Sequence, residues 1–128
     1  ILFGLEPLET LRCISHLHRN SSVIFGNNRI APYSVNAQIS QYPDINEFVD
    51  YLSAQCKEVI FINHFPKNID AVLYNVYLLG RSTRMKIFPF NKTTIEAAII
   101  NTVADYHKEK TLEAFRQGIN QIAKACQE

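Results

Sequence analysis

The residues able to carry chemistry are few, and their spacing is informative chiefly for what it excludes. Iron–sulfur and zinc sites need several thiolates or imidazoles at one point, usually supplied in pairs two to four residues apart. Cys13, Cys56 and Cys126 are far from one another. Cys13 and Cys56 fall on expected helices and read as small buried hydrophobes. His16 and His18 are two residues apart, so on a helix they point in different directions. His64 follows an expected strand as a loop residue, and His107 reads as part of an exposed turn between helices. Phosphate-cradling loops need glycines bunched at a strand-to-helix turn, whereas Gly4, Gly26, Gly80 and Gly118 are scattered. The carboxylates Asp44 and Glu47 have the spacing of a helix cap. No catalytic residue and no metal site is expected of this chain.

Position supplies the remaining candidates. In open α/β sheets, ligands and partners gather at the carboxyl ends of parallel strands, where loops vary freely and helix N-termini converge. Those ends fall at Gly4 to Glu6, Gly26 to Arg29, and Asn63 to His64. Glu6, Asn27, Asn28, Arg29, Asn63 and His64 are therefore the candidates for facing a ligand or partner. Gly-Asn-Asn is also good turn chemistry, so a purely structural role for that loop stays open.

The elements that position these loops follow from periodicity. Ile1 to Leu5 and Val23 to Phe25 are short apolar runs of strand type, and Val59 to Ile62 is a third. Between the first two, Leu8, Leu11, Ile14 and Leu17 recur at helical spacing behind Pro7, which suits a first helical turn. Between the second and third, residues 30 to 43 read as irregular. Asp44 then caps a helix with the stripe Ile45, Phe48, Val49 and Leu52. Strands alternating with amphipathic helices imply parallel strands joined by right-handed crossovers. The remainder reads as helices over 69–84, 93–105 and 110–125, the last with Leu112, Phe115, Ile119, Ile122 and Ala123 on one face. The expected class is α/β, three layers with a mainly parallel sheet and a helical C-terminal third, and residues 1–128 are read as a single domain.

Composition agrees with a globular chain: 128 residues, 47% hydrophobic, 20% charged and a formal charge of +1. That balance gives no electrostatic reason to expect nucleic acid or an anionic membrane as partner. Three separated cysteines fit a reducing compartment, so the expected location is cytoplasmic. Asn20-Ser21-Ser22 and Asn91-Lys92-Thr93 match glycan acceptor triplets and read as coincidence.

Six colinear segments resemble a known family. Gly4 to Arg12 resembles its Gly-Leu-Glu-Pro-Leu-Glu-Ala-Leu-Arg segment. Val23 to Phe25 with Ile30 and Pro32 resembles the strand and loop that follow, and Gln41 to Ile45 is similar to its Lys/Arg-Tyr-Pro-Asp stretch. Asn75 to Gly80, Phe88 to Phe90 and Ala114 to Gly118 resemble Asn-Val-Val-Leu-Leu-Gly, Leu-Pro-Phe and Ala-Phe-x-x-Gly. The family is the gamma-type domain of 2-oxoacid:ferredoxin oxidoreductases, which also act on pyruvate and ketoisovalerate. The wording is most like the smaller, beta subunit of the indolepyruvate branch. Three departures stand out: Gly26 ends a strand where the family has Asn, the connection between Ile62 and Asn75 is short, and the family's opening Gly-x-Gly-Gly-Gln-Gly loop is missing. With Ile1 opening inside a strand, the expectation is of a domain whose N-terminal part is missing.

The resemblance implies oxidative decarboxylation of a 2-oxoacid to an acyl-coenzyme A, with electrons delivered to ferredoxin. Thiamine diphosphate and iron–sulfur clusters would sit on other chains, among them a larger thiamine-binding subunit, and this domain would help enclose the active site and coenzyme A. The isolated chain would be inactive. The alternative is a non-enzymatic, flavodoxin-like interaction module.

Overall fold

The computed structural model describes residues 1–37 and 41–121. Two compact units divide the chain, Ile1–Pro66 and the helical part from Lys67 onward.

The first unit is built on three parallel strands, β1 (Leu2–Gly4), β2 (Ser22–Gly26) and β3 (Glu58–Ile62), in spatial order β1-β2-β3. Helices α1 (Pro7–Arg12) and α3 (Ile45–Gln55) make the crossovers. The register sets Leu2 beside Val23 and Val23 beside Val59, then Gly4 beside Phe25 and Phe25 beside Phe61. These residues share one face of the sheet because side chains alternate along a strand. Val23 and Phe25 from that face pack with Ile45, Phe48 and Leu52 of α3 and with Leu11 of α1. Both crossovers therefore cover the same face, as two right-handed connections stepping in one direction require. Phe25 stacks at 4.9 Å from Phe61 and 5.4 Å from Phe48, ring centre to ring centre.

The caps explain where these helices begin. Pro7 occupies the first turn of α1, and the carboxylate of Glu6 caps it by accepting from the Glu9 N–H at 2.9 Å. Asp44 caps α3 as expected, accepting from the N–H groups of Asn46 at 2.8 Å and Glu47 at 3.4 Å. Gly4 is required by closeness: a Cβ there would lie 1.9 Å from Thr10 Oγ1 and 2.9 Å from Phe25 Cβ.

The second unit contains α4 (Tyr74–Ser82), α5 (Lys92–Thr102) and α6 (Asp105–Asn120). Its apolar centre gathers Ile95, Ile99 and Phe115, flanked by Val76, Leu79, Phe88, Val103, Leu112 and Ile119. Asn91 caps α5 by accepting from the Thr94 N–H at 2.8 Å, a structural use of the residue that opens the second glycan-like triplet.

The α/β class, the parallel sheet and the helical C-terminal part are as the sequence indicates. Several local expectations are corrected. Within 30–43, expected to be irregular, Tyr33–Asn36 form one helical turn, α2, entered through the extended backbone of Pro32. The helix expected from 69 begins as a 3-10 turn at Ala71–Leu73 and becomes α-helical only at Tyr74. The helix α1 gives way at Cys13 to a 3-10 turn over Ile14–His16, so Cys13 is its C-cap, as Cys56 is of α3. His107 lies inside α6, not in a turn, because the last helix starts at Asp105, five residues before the expected point. Ile122, Ala123 and Cys126 lie outside the described residues.

Candidate polar edge of the sheet

The ends of the three strands deliver Glu6, Asn27 and Asn63 to one rim of the sheet, since all three strands run the same way. The ladder continues one step beyond β2, with the Asn27 N–H donating to the Ile62 carbonyl at 2.9 Å. This bond holds the two loops together and sets the Asn27 side chain beside Asn63. Asn27 Nδ2 donates to Asn63 Oδ1 at 2.9 Å, and Asn27 Oδ1 accepts from Arg29 Nε at 2.8 Å.

From Arg29 the chain of contacts passes to Tyr42, whose ring centre lies 5.3 Å from the guanidinium carbon, a cation–π distance. The Tyr42 hydroxyl donates to Glu6 Oε1, which also accepts from the Ile30 N–H at 3.3 Å. Five side chains from four separate loops are thus joined in the order Asn63, Asn27, Arg29, Tyr42, Glu6.

Glu6 is only 6% exposed. Its two oxygens accept from Glu9 N–H, Ile30 N–H and the Tyr42 hydroxyl, which replaces the water a buried carboxylate gives up. One residue therefore ties the β1–α1 turn, the loop after β2 and the loop before α3. Burial, then the hydrogen bond and negative charge of Glu6, push the Tyr42 phenol well above its ordinary range, opposed by the Leu8 backbone and by Arg29. The phenol consequently stays a donor at any physiological pH.

Of the six candidates named from the sequence, Glu6, Asn27, Arg29 and Asn63 enter this chain of contacts. Asn28 and His64 lie in the same loops and do not join it, His64 being exposed. Tyr42 was missed as a site residue. Its only sequence signal is its place in the Gln41 to Ile45 segment, and its partner Glu6 is 36 positions away.

Metal chemistry finds no support in the geometry: among the described residues, no three His, Cys, Asp or Glu side chains converge on a point where an ion could sit. The described residues thus do not fit an iron–sulfur cluster. Burial raises the thiol of Cys56, which suits a packed cap and not a nucleophile. In the helical unit a concavity of about 160 Å³ is lined by Asn68, Asp70, Lys110, Glu113 and Gln117 among others, with charges of both signs. Among the described residues no helix is long and apolar enough to cross a membrane.

No family model matches, and no solved structure matches. The chain is similar to indolepyruvate oxidoreductase subunit IorB of Archaeoglobus fulgidus, with 31% identity over 94% of this chain and 62% of that protein. It is also similar to the subunit of the same name from Methanothermobacter thermautotrophicus, with 22% identity over 98% of this chain and 65% of that protein. The chain spans a little under two thirds of the length of these curated relatives. Over that span, the chain is related by sequence to the IorB subunits of indolepyruvate oxidoreductase, in agreement with the resemblance carried by its short motifs.

Proposed function

We propose that this chain serves as part of a subunit of a 2-oxoacid:ferredoxin oxidoreductase, with indolepyruvate as the 2-oxoacid. The observation that carries the reading is the match to IorB of Archaeoglobus fulgidus, at 31% identity along 94% of this chain. The reaction is oxidative decarboxylation to an acyl-coenzyme A with electrons passed to ferredoxin. Thiamine diphosphate supplies the carbanion chemistry and iron–sulfur clusters the electron path, and both are assigned to other chains of the complex.

What this chain contributes is a scaffold. Its parallel sheet presents a polar rim in which Glu6 organises three loops and Arg29 is held outward. That rim, including Asn27, Asn28, Asn63 and His64 in its loops, is proposed to face the larger thiamine-binding subunit and the coenzyme A that the two enclose. A reducing, cytoplasmic setting belongs to the same reading, because cluster chemistry and unpaired thiols both call for it.

Co-expression tests the reading. The full subunit containing this chain should co-purify at fixed stoichiometry with the larger thiamine-binding chain. Separate elution of the two would contradict it.

A further inference from the structure

Arg29 is held more firmly than a surface arginine needs to be. Its side chain is exposed, yet Nε is committed to Asn27 Oδ1 at 2.8 Å and the guanidinium lies over the Tyr42 ring at 5.3 Å. Both of those supports are themselves fixed. Asn27 is oriented by its own backbone bond to Ile62 and by Asn63, and Tyr42 is oriented by its bond to the buried Glu6.

Among the described residues the charge so fixed enters no ion pair. Among the described residues the ion pairs are Arg12 with Glu9, Lys108 with Asp105, Lys110 with Asp70 and Arg116 with Glu96. Arg29 is in none of them. The carboxylate tied into the same network, Glu6, is buried and already accepts three hydrogen bonds. An arginine's rotamer freedom has thus been given up in advance, leaving its Nη groups without an acceptor among the described residues. A bidentate pair with a carboxylate would be formed with little further loss of entropy.

Exposed apolar side chains adjoin members of this network in sequence. Ile30, next in sequence to Arg29, is 67% exposed, Tyr33 is 81% exposed, and Leu5, next to Glu6, is 52% exposed. Leu5 and Ile30 stand in two of the loops that Glu6 gathers, and Tyr33 opens α2 three residues after Ile30. An arginine anchor beside exposed aliphatic and aromatic side chains has the composition of an interface centre, where Arg and Tyr are enriched and the surrounding contacts exclude water.

We propose that this surface docks a segment of the larger thiamine-binding subunit in which an Asp or Glu carboxylate pairs with Arg29 and flanking apolar side chains cover Leu5, Ile30 and Tyr33. The inference rests on the function proposed above and adds to it the site and the chemistry of the contact. A protein carboxylate is favoured over a small-molecule anion by the three exposed apolar groups, which a phosphate would leave in water. Asn27 and Tyr42 act as positioning residues for Arg29.

The test is the affinity of the purified full subunit for the larger subunit, measured by titration at low and high salt. Arg29→Ala should weaken binding about 30-fold and Arg29→Glu should weaken it further. Arg29→Lys should recover only part, because an ammonium lacks the fork. The salt dependence of binding should shrink in Arg29→Ala, and Ile30→Asp should weaken binding about tenfold. Thermal stability of the Arg29 variants should stay near wild type because the side chain is exposed, which separates docking from folding. Wild-type subunits that bind while Arg29→Ala binds equally well would overturn the docking assignment and leave the proposed function standing. Unchanged association combined with lost binding of inorganic pyrophosphate would reassign Arg29 to a small anion and overturn it too. Wild-type chains that never associate would sink both.

Discussion

Gly80 and Gly118 stand against each other where α4 and α6 pack. A Cβ on Gly80 would lie 2.1 Å from the Phe115 carbonyl oxygen, and one on Gly118 would lie 2.2 Å from that of Tyr77. Each would also come within 3.1 Å of the other glycine's Cα. Backbone meets backbone here, so no side chain can move aside. The two glycines end the segments Asn75 to Gly80 and Ala114 to Gly118, which gives those two motifs a shared packing reason.

Gly80→Ala or Gly118→Ala should therefore destabilise the helical unit. Alanine gains about 1 kcal/mol of helix propensity over glycine. Overpacking against an immovable backbone costs about 1–3 kcal/mol and more when the helices must separate. The expected result is a net loss of stability in urea unfolding. The double variant should lose less than the sum, because either methyl alone already forces the helices apart.

Glu6→Ala should destabilise the strand-containing unit by about 2–3 kcal/mol. It removes the α1 cap and strands the Ile30 N–H and the Tyr42 hydroxyl, donors that the carboxylate now serves. Denaturant midpoints measure this, and loss of protection at the Ile30 amide in hydrogen exchange locates it.

Tyr42 should give the fold an alkaline limit. Its folded pKa is raised, chiefly by burial and then by Glu6. A raised value means that the folded state favours the protonated phenol. Its contribution to stability is thus complete below the model-peptide value of 10.0 and is lost as pH rises through the folded value. Tyr42→Phe should be less stable near neutral pH, having lost the Glu6 bond, and should show a shallower decline above about pH 10. Alkaline titration with near-ultraviolet tyrosinate absorbance and circular dichroism checks both.

Cys56 should react slowly with thiol reagents in the folded chain. Burial raises its thiol pKa, which lowers the thiolate fraction at neutral pH. Alkylation followed by mass spectrometry should show modification at Cys56 accelerating when the chain is unfolded.

Much of this arrangement was legible in the residues. Three short apolar runs and the Asp44 cap mark strands and a helix whose determinants are local, and they appear where expected. The rim candidates Glu6, Asn27, Arg29 and Asn63 followed from topology, since parallel strands bring their carboxyl ends to one edge. Tyr42 was not legible as part of that rim. Its link to Glu6 closes over 36 positions, and no local pattern encodes a bond between a phenol and a distant carboxylate. The late onset of α4 and the early start of α6 escaped for a different reason. Helix propensity differs little among the residues at those ends, and packing decides where the α-helical hydrogen bonds begin.

Turnover tests the proposed function most directly. The full subunit should be combined with the proposed larger thiamine-binding subunit, thiamine diphosphate, coenzyme A, indolepyruvate and oxidised ferredoxin, and ferredoxin reduction followed anaerobically. Reduction should require both subunits and disappear when either is omitted. Equal turnover by the larger subunit without this chain, or by this chain without its partner, would contradict it.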